Sequence, residues 1–402
     1  MVFYHYSTRI EEYLDAIDGC DAFIVAERGD FKIINYINMG PDVFPDPKTA
    51  PNIEIARKWG LRRQCRGLIF NHHGDVISLP IEKFFNVGER EETQLNNIVL
   101  SDQHVLLDKM DGSMVRPIPV GNAYRMATKM GITDIAMQSE LFLADNPVYG
   151  QFIKMVFDAG WCPQFEWCSR KQKIVIDYPE DRLVLISLRN LSTGRNMEFD
   201  LMLSLARDNG IWDVVKHYPG GVNSMQHLLE TTRDLQGQEG YVIRDGQSAY
   251  KIKADDYLIK HRAKDAILRE NGVIEMILDE KLDDVKPVLS VEDLAAIEAF
   301  ETAFWNGIRD TVRDWDGYNQ DVHEVFGQDR KRFALEGAHH LDGNLRGAIF
   351  KAWDVPPGEF DWREAVLNSV RKNIGTQPKV DSIRHLFGSA TWKYGAASPG
   401  DE

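Results

Sequence analysis

The sequence predicts an α+β protein: antiparallel sheets with interspersed helices over residues 1–257, followed by an all-helical part over 258–390. Two observations carry this. Up to about residue 254, short apolar runs such as 22–26, 67–70, 104–107 and 183–188 are separated by Gly, Pro, Asn and Asp, the pattern of strands closed by turns. After Tyr257 the period changes. Leu294, Ile297, Phe300, Phe304, Ile308, Val312 and Trp315 recur at helical spacing, which marks an amphipathic helix with one buried face.

Taken in order, the four runs above read as strands. Helices are expected over 132–144 and 197–209. Lys109 falls in a turn just after the strand at 104–107. Glu166, Glu239, Lys251 and Lys253 fall on or beside strands. In the second part, Ser290-x-x-Asp293 reads as a capping box. Asp361-x-x-Glu364 opens a further helix with Val366, Leu367, Val370 and Ile374 on one face, and Gly375 is its stop. No β-barrel signal is present there. Residues 391–402 read as a disordered tail.

At 402 residues and 43% hydrophobic content, two globular domains are expected. No apolar run reaches 18 residues, so no membrane span is predicted, and the first residues lack the charged-then-apolar order of a secretory signal. Cys20, Cys65, Cys162 and Cys168 form no Cys-x-x-Cys pair and read as reduced thiols of a cytoplasmic protein. The His-His pairs at 72–73 and 339–340 read as surface loops, not ligands. The net charge is −15, with both parts acidic. This argues against a protein that coats nucleic acid, but not against one that grips a few phosphates in a local basic groove.

Five short pieces stand out for their order. They are Cys65-Arg66-Gly67, Lys109-Met110-Asp111-Gly112-Ser113, Phe165-Glu166-Trp167, Glu239-Gly240-Tyr241-Val242 and Lys251-Ile252-Lys253. Each has a plain reading by itself: Asp111-Gly112 as a hairpin turn, Arg66 as a surface cation, 165–167 as an alternating strand, 251–253 as an edge strand with a basic face. Jointly they are what a lysine nucleophile requires. Lysine has a reference pKa near 10.4, so only roughly 0.1% is neutral at pH 7. Neighbouring cations lower that value. Arg66, Lys83, Lys251 and Lys253 are the candidates, and they would also neutralise a triphosphate. Glu166 and Glu239 are candidate oxygen ligands for a hard divalent cation. Gly112 leaves room where the backbone approaches a nucleotide.

The set resembles the covalent nucleotidyltransferases and, within them, the phage RNA ligases of the type-1 class. Three further stretches carry the narrower likeness: Pro80-Ile81-Glu82-Lys83-Phe84-Phe85-Asn86, Ile33-Ile34-Asn35-Tyr36, and Lys173-Ile174-Val175-Ile176-Asp177-Tyr178 followed by the run 183–189, these last two read as strands. Met110 departs from the pattern at a variable position. The likeness covers roughly residues 30–260. It implies an adenylation (nucleotidyltransferase) domain at 1–257 and a helical RNA-recognition domain at 258–390. It also implies an ATP-dependent RNA ligase that joins 5′-phosphate and 3′-hydroxyl ends through lysyl-AMP and adenylated RNA, with ATP as co-substrate and Mg2+, or Mn2+, as the metal. By the same resemblance, Lys109 is the nucleophile, and Arg66, Lys83, Lys251 and Lys253 contact phosphates. Tyr36, Phe85 and Gly112 shape the nucleoside pocket, Lys129 assists, and Tyr257 serves ligation. Glu166 and Glu239 bind metal, and Asp283 and Asp284 resemble an acidic pair near a second metal. A monomer acting on RNA ends, such as cleaved tRNA, in the cytoplasm (a host's, if phage-encoded) is expected. The alternatives are a DNA ligase or capping-type enzyme sharing the core, or a non-enzymatic RNA-binding module.

Overall fold

The computed structural model describes residues 5–393 apart from Pro41, Asn122, Gln172, Gly220, Pro357 and Ser389. It divides into two compact units, Met1–Leu258 and Ile259–Glu402.

The first unit holds three sheets. β1 (Phe23–Arg28), β2 (Phe31–Tyr36), β3 (Arg66–Phe70) and β4 (Val76–Ser78) form one antiparallel sheet in chain order. The second runs β10-β9-β7-β8, from β7 (Ser113–Val120), β8 (Ala123–Ala127), β9 (Trp161–Cys168) and β10 (Arg182–Asn190). The third runs β11-β6-β12-β13-β5. It joins β5 (Phe85–Asn86), β6 (Val105–Asp108), β11 (His217–Pro219), β12 (Gly240–Asp245) and β13 (Ser248–Lys253). Pairing there is antiparallel except between β13 and β5, which run parallel. Helices Asp134–Asp145 and Phe199–Asp208 stand close to where the periodicity puts them. Thr133 and Asn52 cap their helices by accepting backbone N–H bonds.

One expected strand is a loop. Residues 173–178 form no ladder, because the N–H groups of Val175 and Ile176 turn to the Asp111 carboxylate instead. A β-branched run suits a strand, but a buried carboxylate has taken the donors a neighbouring strand would have used.

The second unit is helical among its described residues. Its axis is the 36-residue helix Val291–Phe326, capped by Ser290, whose side chain accepts from the Asp293 N–H. Ile297, Phe300, Phe304, Ile308 and Trp315 on its inner face are buried in a core shared with Val366, Leu367 and Val370 of the helix Trp362–Arg371. That helix is capped by Asp361 through the Glu364 N–H. Trp392 corrects the expectation of a disordered tail beginning at residue 391. It is buried, donates its indole N–H to the Ile267 carbonyl at 2.6 Å, and donates its backbone N–H to Glu270 at 2.8 Å. A buried tryptophan with its indole and backbone N–H groups both satisfied holds the chain there. Residues 394–402 of the expected tail lie outside the described residues.

Candidate active site

Lys109 is placed by the third sheet. Its backbone N–H donates to Gly240 O at 2.9 Å, and Gly240 pairs with Lys253 across β12 and β13. Lys109, Gly240 and Lys253 therefore lie in one row. The side chains converge too: Lys109 Nζ is 2.8 Å and Lys253 Nζ 2.9 Å from the same Oε1 of Glu239, a buried carboxylate. Two residues further along the strands, the pleat returns to the same face. There Leu107, Val242 and Lys251 form the next row.

Asp111 fixes the lysine turn. Its Oδ2 accepts from the N–H groups of Val175 (2.8 Å) and Ile176 (2.7 Å), and its Oδ1 accepts from the Tyr257 hydroxyl at 2.8 Å. Its own N–H donates to Tyr178 Oη at 2.9 Å. Burial, reinforced by the Glu239 and Asp111 carboxylates, keeps the Tyr257 phenol protonated, so it serves as a donor. Gly112 is required by the protein itself. A Cβ there would come within 2.5 Å of Trp167 O and 3.0 Å of Glu166 Cγ, so the absent side chain lets the lysine turn lie against β9.

A cavity of about 460 Å³ opens beside Lys109. Tyr36, Arg66, Phe84, Gly112, Lys129 and Glu166 help to line it. Gly67, at φ +83°, brings Arg66 and Lys129 together, since a Cβ there would meet Lys129 Cα at 2.5 Å. Lys129 Nζ lies 5.5 Å from the Tyr36 ring centroid. Arg66 Nε is buried without a hydrogen-bond partner. Lys83 is buried over the rings of Tyr36, Phe44 and Phe85, at 5.5, 5.9 and 5.2 Å. Burial, with the Arg66 charge, brings its pKa down to about 8. Lys251 packs over Phe84 at 5.6 Å; burial first, then Lys83 and Lys109, bring it down to about 7. Burial pushes the Glu166 carboxyl up to about 7, with Lys109 opposing and Glu239 reinforcing the rise.

Two expected residues stand elsewhere. Phe85 does not line this cavity. It is 2% exposed in the core of the first unit, and its neighbour Phe84 faces the cavity instead, since successive residues of an extended segment point to opposite sides. Asp283 belongs to the second unit, highly exposed and paired with Lys286 at 3.2 Å; nothing is described of the Asp284 side chain. Among the described residues, no three His, Cys, Asp or Glu side chains gather as a metal-binding cluster.

A family model described as RNA ligase matches residues 64–268, about half of the chain. The chain belongs to the RNA ligase family. It is an enzyme, and RNA is its substrate. RNA ligase 1 of Bacteriophage TS2126 is 25% identical over 298 residues, covering 70% of this chain and 69% of that one. The RNA ligase of Rhodothermus phage RM378 is 22% identical over 348 residues, covering 67% and 77%. Among solved structures, an archaeal ATP-dependent RNA ligase aligns over 63% of this chain and 64% of its own length, at a TM-score of 0.41 and 14% identity, a likeness too slight to add to the family match. All five ordered motifs of this RNA ligase meet through backbone pairing or ion pairs at Lys109, or line the same cavity. No described helix is long and apolar enough to cross a membrane.

The Asp111-Gly112 pair suits a turn by sequence; its carboxylate also serves as the acceptor for a loop distant in sequence.

Proposed function

We propose that this RNA ligase activates RNA ends through an AMP carried on Lys109, and joins a 5′-phosphate to a 3′-hydroxyl. One observation carries the reading: Lys109 and Lys253 share one buried carboxylate oxygen beside a cavity that Lys109, Arg66 and Lys129 help to line. Lys109 attacks the α-phosphorus of ATP. A P–N bond forms, the bond to the bridging oxygen breaks, and pyrophosphate leaves. Glu239 Oε1 is within reach of the proton that Lys109 must shed, while Lys253 and Lys251 balance charge developing on the phosphate. AMP then passes to the RNA 5′-phosphate, and the 3′-hydroxyl displaces it.

Glu166 and Glu239 suit a divalent cation. Both are oxygen donors, and the Glu166 carboxyl is pushed up by burial and by Glu239 against the pull of Lys109 and Arg66; a further cation would favour its charged form. Two protein carboxylates, with phosphate oxygens and water completing the shell, are the pattern of Mg2+; Mn2+ takes the same donors. When bound, the ion would neutralise phosphate oxygens. The exposed pairing of Asp283 with Lys286 gives no comparable support for a second metal there.

The helical unit, acidic overall, serves substrate choice in this reading, with a broken tRNA loop as the expected substrate and a monomer as the working form. A truncation near residue 285 would strand Val273, Ile274 and Ile277, which are buried in the helical core, so a test by truncation belongs before Ile267.

The testing experiment supplies labelled ATP, then 5′-phosphorylated single-stranded RNA or DNA, and follows label from protein to nucleic acid to free AMP. Faster sealing of RNA is expected; better sealing of nicked duplex DNA, or a preference for GTP, would favour the DNA ligase or capping alternative.

A second expectation concerns protons. Lys251 at about 7 and Lys83 at about 8 are largely neutral and half-neutral at pH 8. A phosphate beside them favours their charged forms and raises both pKa values, so nucleotide binding takes up protons at that pH and weakens as pH rises from 7 to 9. Calorimetry at pH 8 in two buffers of different ionisation enthalpy, without divalent ions, measures this. Net uptake that shrinks in Lys251→Met is expected, and net release would contradict the assignment.

A further inference from the structure

The row pattern continues beyond Lys251. Two residues past Val242, the same face of the third sheet carries Arg244, paired with Val105 of β6 and Ala249 of β13. Gly240 to Arg244 is four residues of extended chain, about 13 Å at roughly 3.3 Å per residue. That separation from the Lys109 row is comparable with the length of a nucleoside monophosphate. Lys109, Leu107, Val242 and Arg244 all line the same cavity.

Arg244 is unusual there. It is 8% exposed. Its Nη2 donates to Ile186 O at 3.3 Å, and its Nη1 is buried with no hydrogen-bond partner. Burial first, then the neighbouring Arg189 cation, pulls the guanidinium down to about 10. The adjacent amides do not take up the spare N–H. Gln247 Oε1 accepts from the Asn196 N–H at 2.8 Å, and Asn196 Oδ1 accepts from Ser187 Oγ at 3.0 Å. A buried donor left unpaired costs stability, so a group that persists this way in a cavity wall is suited to an acceptor brought by a ligand.

The remaining cavity wall selects which acceptor. The phosphate-binding cations Lys83 and Lys251 lie towards β5 and Phe84, whereas Leu107, Ile186, Val215 and Val242 give the Arg244 side an apolar lining. A slot with these apolar walls, the mutually paired amides of Asn196 and Gln247 and one unpaired guanidinium N–H suits a heteroaromatic ring bearing a neutral nitrogen acceptor. We propose that Arg244 is a specificity-determining residue that donates to a ring nitrogen of the ATP base, setting the depth at which the α-phosphorus meets Lys109. This rests on the reading that ATP occupies the Lys109 cavity.

The test uses the full chain with ATP and with 1-deaza-, 3-deaza- and 7-deaza-ATP, each lacking one ring acceptor. The readout is KM and kcat for forming the Lys109–AMP adduct. A charge-assisted hydrogen bond in a dry site predicts that one analogue raises KM about ten- to hundred-fold while the other two resemble ATP. Arg244→Met should raise the KM for ATP by the same factor and abolish the penalty of that analogue, which a merely structural role would not do. Three analogues equivalent to ATP in the unsubstituted protein would overturn the proposal, whether or not the variant folds. So would a penalty that persists unchanged in Arg244→Met. Failure of ATP itself to form any adduct would instead overturn the reading on which the proposal rests.

Discussion

Lys109→Ala should lose the covalent AMP adduct and overall ligation, by on the order of a thousandfold or more, because no neighbouring group can replace a removed nucleophile. Lys253 shares the Glu239 oxygen with Lys109 but projects from β13, opposite Gly240 of β12. The variant should still seal RNA supplied with a 5′-adenylate, since that step proceeds without the lysine. Gel analysis of the two reactions side by side separates these outcomes. Wild-type AMP labelling of Lys109→Ala would move the nucleophile to another residue.

Asp111→Ala carries the next largest expected effect. Three hydrogen bonds to a buried carboxylate vanish at once, from Val175, Ile176 and the Tyr257 hydroxyl. Each bond to a charged group contributes about 1.5–3 kcal/mol, and the orphaned donors are themselves penalised. The loop at 173–178 then loses its anchor and the turn carrying Lys109 loses its hold. Overall ligation should fall by about a hundredfold or more, with a drop of several degrees in melting temperature. Tyr257→Phe removes one donor only and should cost about tenfold. Rates and thermal melts of both variants provide the check; an Asp111→Ala protein as active as its parent would show that the turn holds its position without the carboxylate.

Much of this site was legible in the sequence because its parts sit at strand ends, where apolar alternation and Gly-containing turns announce the geometry. The row formed by Lys109, Gly240 and Lys253 joins the end of the apolar run at 104–107 to two segments expected on or beside strands. The capping residues Ser290 and Asp361 were equally plain, since a cap acts within three residues of chain. What stayed hidden depends on contacts distant in sequence. Asp111 meets a loop 64 residues away, in a segment that the family resemblance gives as a strand. Phe84 and Phe85 are the same residue type in adjacent places, and only the register of β5 decides which one meets the cavity. Arg244 looks like an ordinary strand residue until the third sheet sets it on the floor of the Lys109 cavity. Trp392 is ordered by Glu270 and Ile267, more than a hundred residues earlier.

The most direct measurement is peptide mapping by mass spectrometry of the purified protein after incubation with ATP and magnesium, without RNA. The account predicts one AMP per chain, on the peptide containing Lys109, and its discharge when pyrophosphate is added. AMP on a different lysine, or no adduct on a folded protein that binds ATP, would contradict it.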